Sequence, residues 1–222
     1  MFIADDYILL HMLDRKNRTI LAIGAHPDDI EMGCGGTLAK LKKDGAEIYT
    51  AIMTKCEDEC TKKDSDTRIK EYYAAVKILG VKKAFAFDFP NRHLPKHEID
   101  ITDEFSRLQE QIKPDLIFCP YLDDSHQDHS AVARSAVRSF RKDESIIQYE
   151  ILRYGSHTFT PNLFVDITKY MPIKLKMLAC HASQKERRAY FDEESFKGLA
   201  RTRGAQAGYD YAEGFVIYKM LW

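Results

Sequence analysis

"TILAIGAHPDDIEMGCGG", residues 19–36, is the stretch whose reading decides the fold. Thr19 to Gly24 form a short apolar run of the kind found in strands buried on both faces. His26, Asp28, Asp29 and Glu31 then fall within six positions, and Gly33, Gly35 and Gly36 follow. The pattern predicts a strand over 19–24 and a helix over 33–44, with Leu38 and Leu41 on one face and Gly45 as the stop. A surface loop holds such charge at no cost. A metal site needs it.

Outward from this stretch the same alternation repeats. "EIYTAIMT" (47–54), "KAFAFDF" (83–89), "DLIFCP" (115–120) and "IIQYEIL" (146–152) read as further strands. Between them, Ile69, Tyr72, Val76 and Leu79 recur at helical spacing up to Gly80, and Ile101, Phe105, Leu108 and Ile112 do so before Pro114. A further helix covers about 129–140. Strand alternating with helix is the signature of βαβ units and a parallel sheet. The expected fold is therefore α/β, a Rossmann-like, mostly parallel sheet of order 3-2-1-4-5 with helices on both faces. Later elements extend it: strands at 162–168 and 214–221, and helices at 169–182 and 186–200. No internal repeat or clear linker interrupts the chain, which reads as one domain over 1–222.

That order has a consequence. A second charged cluster, "DDSHQDH" (123–129), follows the fourth strand. In the 3-2-1-4-5 order, strands one and four are neighbours at the topological switch point, where ligands bind beyond the carboxyl ends of the strands. Two clusters about 100 residues apart are thus expected to meet in one crevice. Dinucleotide binding fails there: no G-x-G-x-x-G follows the first strand, and Asp28, Asp29 and Glu31 repel a pyrophosphate. Imidazoles and carboxylates suit a divalent cation instead, with zinc the expected ion. A catalytic zinc takes three protein ligands and leaves one position open, and His26, Asp29 and His129 supply that count. Asp28, His126 and Asp128 remain for acid–base work.

These residues resemble a known family. "AHPDDIE" (25–31) with the later "HQDH" (126–129) is similar to the two signature motifs of the PIG-L/LmbE-like zinc-dependent N-deacetylases. The resemblance extends along the chain through "TRIKEYYAAVKILGV" (67–81), "DFPNRHLP" (88–95) and "RTRGAQAGYDYAEGF" (201–215). It implies one zinc per chain on His26, Asp29 and His129. It makes Asp28 the general base and His126 the general acid or oxyanion stabiliser, with Asp128 orienting His126. Arg68 and Asn91 match substrate-contacting positions, although Asn91 stands where many members have Asp. Gln127 stands where many have Pro. Apart from the resemblance, Arg203 is a candidate, with Arg201, for binding a phosphate or sugar, a solvated helix end being their plainer use. The implied reaction removes the N-acetyl group from an N-acetylglucosamine-type amino-sugar derivative. Amide hydrolysis needs a base for water, positive charge facing the tetrahedral oxyanion and a proton for the leaving amine. Two rivals remain: a metal-dependent deacylase or amidase of a non-sugar amide, and a non-catalytic sugar-binding module on the same fold. The second has no use for a base beside an open metal position.

Composition sets the wider bounds. The chain has 222 residues, 45% of them apolar and 30% charged, the balance of a globular protein. A net charge of −1 gives no reason to expect nucleic acid as a partner. No run approaches the roughly 18 apolar residues of a membrane span. The N-terminal residues 1–19 read as a short helix or strand rather than a signal peptide. Five cysteines without framework spacing suit a reducing, cytoplasmic setting. The expected partner is a small N-acetylated amino sugar, and a homo-oligomer is compatible with it. Cys56 and Cys60 read as surface thiols, Cys34 as a small buried residue, Glu31 as structural, and His157 as a weak substrate-side candidate. Arg68 has a surface ion pair with Asp64 or Glu71 as its plainer use.

Overall fold

The structure, a computed structural model, describes residues 18–56, 62–155 and 157–221, with residues 62–65 described by their backbone alone. The expected N-terminal element and Cys60 lie outside the described residues. Strand β1 (Thr19–Gly24) runs parallel to β2 (Glu47–Ile52) on one side and to β4 (Leu116–Pro120) on the other. Strand β3 (Lys83–Ala86) adds in parallel to β2, and β5 (Ser145–Tyr149) to β4. Two antiparallel strands, β7 (Ala212–Lys219) on β5 and β6 (Leu163–Asp166) on β7, complete a seven-stranded sheet of order β3-β2-β1-β4-β5-β7-β6. The 3-2-1-4-5 core and its extension are as the sequence implies.

Helices cover both faces: α1 (Asp29–Lys43), α2 (Lys62–Leu79), α3 (Glu98–Ile112), α4 (Gln127–Ser139), α5 (Met171–Ala179), α6 (Ala182–Arg187) and α7 (Glu193–Ala207). The alternation along β1 shows why both faces need cover. Ile20 and Ala22 enter one core with α1, α2, α5 and α7, whereas Leu21 and Ile23 enter the other with α3 and α4. Burial on both faces explains the unbroken apolar run at 19–24. Among the described residues no helix is long and apolar enough to cross a membrane.

Two regions differ from the sequence reading. Helix α1 starts at Asp29 rather than residue 33, because it consists of two helical pieces joined at Cys34, whose φ of −141° leaves the helical region. Each broken end finds a buried partner from far along the chain. Lys174 Nζ donates to Met32 O (2.7 Å), and Glu213 accepts from Gly36 N (2.9 Å) and Thr37 N (2.7 Å). Lys174 and Glu213 also pair with each other, at 2.5 Å. A break that orphans backbone groups is tolerable when such partners exist. Gly33 is required here: a Cβ would stand 2.0 Å from the ring of buried Tyr149, whose hydroxyl donates to Ile23 O (2.6 Å). Further on, the expected helices at 169–182 and 186–200 become three. The chain breaks at His181, and Asp192 caps α7 by accepting from Ser195 N (2.9 Å), so the last helix starts at Glu193.

Candidate active site

Because β1 and β4 are neighbours, the segments that follow them emerge side by side. The β1–α1 turn supplies His26, Asp28 and Asp29, and the β4–α4 turn supplies Asp124, His126, Asp128 and His129. His26 Nδ1 lies 3.1 Å from His129 Nε2. The Asp29 carboxylate lies 3.4 Å from each: Oδ2 from His26 Nδ1 and Oδ1 from His129 Nε2. Tetrahedral zinc with bonds of about 2.0–2.1 Å sets its ligand atoms about 3.3 Å apart. The donor set therefore fits a divalent cation without rearrangement. His126 joins the group, since ligand atoms of His26, His126 and His129 all lie within 4.8 Å of one another.

Each candidate ligand is fixed from behind. Asp29 Oδ2 accepts from Ala25 N and His26 N, both at 2.8 Å. His26 Nε2 faces Asp128 Oδ2 at 3.3 Å, and His129 Nδ1 faces Asp124 Oδ2 at 3.1 Å. A carboxylate on the far nitrogen holds a metal-binding imidazole in the tautomer whose other nitrogen is a free lone pair. The same carboxylates set the field. Burial opposes charge on His129, yet Asp29 and Asp124 outweigh it and push its pKa up to about 10. Burial likewise opposes charge on Asp29, but His129 and His26 hold its carboxyl well below the usual range. This is a pocket that attracts positive charge.

His126 is placed differently. It caps α4, and its Nδ1 accepts from Asp128 N (3.2 Å), which assigns the ring proton to Nε2. The ring stacks on His129 at 4.4 Å and meets Tyr154 edge-on at 5.0 Å. Burial, then the neighbouring His129 and His26, push its pKa down to about 3. Asp128, expected to orient His126, serves His26 instead. Its carboxylate also accepts from Arg92 N (2.7 Å) and Leu94 N (3.2 Å), so it ties the loop after β3 to the candidate metal centre. At the second position of α4 its side chain aims at that loop, and its backbone N–H, not its carboxylate, is what bonds His126.

Asp28 makes no side-chain cap to α1. It pairs with Arg68 Nη2 at 2.7 Å, and both residues are buried. Burial raises the Asp28 pKa, but the Arg68 guanidinium outweighs this and keeps the carboxylate ionised. Arg68 is therefore no surface residue: Glu71 accepts from Ser183 N and Oγ instead, and the Asp64 side chain lies outside the described residues. Arg68 lines the crevice, but as the partner of Asp28. Arg68→Ala is accordingly expected to lower kcat about tenfold or more with metal content unchanged. A change confined to KM would return Arg68 to a purely substrate-reading role.

The other substrate-side expectations fare differently. Arg203 is spent on a bidentate pair with Glu150 (2.7 and 2.8 Å) and lines a separate small cavity with Lys174 and Glu213. It packs along Gly214 and is not among the residues that line the crevice. Asn91 is buried with its Nδ2 unpartnered, beside the loop that Asp128 holds, and is not among the crevice-lining residues. His157 is exposed, and Cys56 is buried rather than a surface thiol. Cys34 is buried in the α1 kink, and burial pushes its thiol well up. Glu31 is buried 3.6 Å from His181. Sequence reasoning missed Asp124, Tyr154, Arg188 and Tyr190, the last three lining the crevice. Asp124 had a signal: a His ligand needs a carboxylate behind it, and "DD" stands next to "SHQDH".

Comparison with known proteins agrees with this geometry. Residues 21–140 match the family described as PIG-L: GlcNAc-PI de-N-acetylase. An uncharacterized deacetylase of Escherichia coli K12, YaiS, is 33% identical over 177 residues, which cover 76% of this chain and 92% of YaiS. Diacetylchitobiose deacetylase of Thermococcus kodakarensis is 28% identical over 221 residues, covering 89% of this chain and 82% of that protein. Among solved structures, N,N'-diacetylchitobiose deacetylase from Pyrococcus horikoshii superposes with a TM-score of 0.78 at 25% identity, over 99% of this chain and 94% of that one. With both its signature turns inside the matched region and its likeness to YaiS running through most of the chain, this protein belongs to the PIG-L family.

Proposed function

We propose that the protein is a zinc-dependent hydrolase, with one zinc per chain, that removes the N-acetyl group from an N-acetylglucosamine-type amino-sugar derivative. The observation that carries this reading is the placing of an ionised carboxylate, Asp28, beside the point where His26, Asp29 and His129 converge. Deacetylases among its relatives, including those named for diacetylchitobiose, support the substrate class.

His26, Asp29 and His129 would hold the zinc, which when bound supplies Lewis acidity and makes a water molecule easier to deprotonate. Asp28 takes that water's proton, and Arg68 keeps its carboxylate charged and aimed. His126 presents its Nε2–H to the oxygen that becomes negative as the acetyl carbonyl turns tetrahedral. It needs no prior protonation for this, because Nδ1 is already bonded to Asp128 N. A proton passed from Asp28 to the amide nitrogen lets the amine depart. Buried thiols at Cys34, Cys56 and Cys119 are consistent with a reducing cytoplasm.

Release of free amine and acetate from N-acetylglucosamine and N,N'-diacetylchitobiose, measured with zinc-loaded protein, tests the reading; turnover of non-sugar acetamides alone would replace it. The metal set has its own test. Asp29→Asn replaces a charged ligand by a neutral amide and is expected to leave purified protein with much less than one zinc per chain. Full retention in that variant would exclude Asp29 from the set.

A further inference from the structure

Away from the crevice, a pocket of about 300 Å³ opens between α5, α6 and the start of α7. None of the groups assigned to the reaction lines it. Its wall is mostly apolar, with Leu175, Leu178 and Ala179 on one side and Phe191 and Phe196 on the other. The two phenylalanine rings meet edge-on at 5.0 Å, which braces that side. The segment from α6 to α7 separates pocket from crevice. Arg188 and Tyr190 face the crevice, whereas Lys185 and Phe191 line the pocket.

One side chain in this wall is left incomplete. His181 is fully buried, and neither ring nitrogen has a hydrogen-bond partner among the described residues. Nε2 faces Glu31 at 3.6 Å, long for a hydrogen bond, and Nδ1 is left for an occupant of the pocket. A buried ring nitrogen without a partner is costly. Water is a poor remedy, because a cavity water needs roughly two to four polar partners. The apolar side chains beside His181 supply none.

Charge at the mouth is already matched. Glu193 pairs with Lys197 at 2.5 Å. Asp192 accepts from Ser195 N and Oγ, and Lys185 adds a favourable charge beside it. An ionic ligand would surrender its hydration here without gaining a free counter-charge. We propose that this pocket is a second ligand site, for an uncharged molecule with an apolar body and one hydroxyl that bonds His181 Nδ1. A hydroxyl both donates and accepts, so it serves the imidazole in either protonation state. A phenol with a short alkyl chain has this chemistry and fits the volume. The site does not depend on what the crevice hydrolyses.

Calorimetry of the full-length protein with 4-ethylphenol, ethylbenzene and 4-ethylbenzoate tests this. The phenol is expected to bind once per chain with a Kd of about 0.1 mM or lower. Ethylbenzene leaves His181 unpaired and the benzoate brings a charge, so each is expected to bind about tenfold or more weakly. Ala182 is exposed at the pocket. Ala182→Trp is expected to block entry and weaken phenol binding about tenfold or more, with an unchanged melting temperature. Should that variant not fold, Ala179→Trp on the facing helix serves instead. His181→Phe is expected to bring the phenol and ethylbenzene to equal affinity. Absence of phenol binding at about 1 mM, or affinity unchanged in the tryptophan variant, overturns the proposal. So does a preference for the phenol that is missing in the native protein or survives in His181→Phe.

Discussion

Asp28→Asn is expected to lower kcat by about 10²–10⁴-fold, the range for loss of a general base, while zinc content stays at the native level. The substitution is mild in shape. An Asn Oδ1 still accepts from Arg68, so the buried guanidinium keeps a partner where Asp28 Oδ1 now stands at 2.7 Å. What the amide cannot do is take a proton. Asp28 and Asp29 are adjacent, yet only Asp29 faces His129 Nε2 and accepts from the two turn N–H groups. Metal content and turnover should therefore separate in the two variants, the first falling in Asp29→Asn and the second in Asp28→Asn. Equal zinc loss in both would end this division of labour.

The second large effect concerns stability. Lys174→Met leaves Glu213 charged and buried with the Gly36 and Thr37 N–H groups but without its cation, and leaves Met32 O unpartnered. Removing one member of a buried pair costs about 3–5 kcal/mol. The retained backbone bonds put the expected value near the lower end, about 3 kcal/mol, or a melting temperature lower by about 6–12 °C for a chain of this size. Lys82→Met is the comparison, since it breaks an exposed pair with Glu47 and should leave the melting temperature almost unchanged. Similar shifts in the two variants would show that the buried pair adds nothing.

Much of this molecule is legible in its sequence because its main signals are local. The β1 run, the helical spacing of Ile101, Phe105, Leu108 and Ile112, and the two charged turns each declare themselves within a dozen residues. Strand order then brings the turns together, so residue order alone is enough to expect His26, Asp29 and His129 in one crevice, where the structure has them. What escaped is what depends on partners far along the chain. The early start of α1 rests on Lys174 and Glu213, which no window around residue 30 contains. Arg203 looked available because nothing near it in sequence announces Glu150, 53 positions earlier. Arg188 and Tyr190 fall where the sequence reads as a helix over 186–200, but the chain there is the connection between α6 and α7, which folding carries to the crevice. Asp128 shows a finer limit: its neighbour in sequence is His126, but its carboxylate turns to His26.

The spliced helix also bears on the order in which the protein is assembled. The proposed ligand residues are all made by the time residue 129 leaves the ribosome, and they lie inside the stretch that matches the family, 21–140. Glu213, which caps the second piece of α1, is 177 positions beyond Gly36, and Lys174 is 142 beyond Met32. A nascent chain thus carries the full set of proposed metal ligands while its last 93 residues are still to be made, and for much of that time the helix behind them lacks both clasps. The second piece of α1 gains its Glu213 cap only once β7 is in place between β5 and β6. The helix that carries Asp29 at its start is thus braced, further along its length, by the last strand to be made.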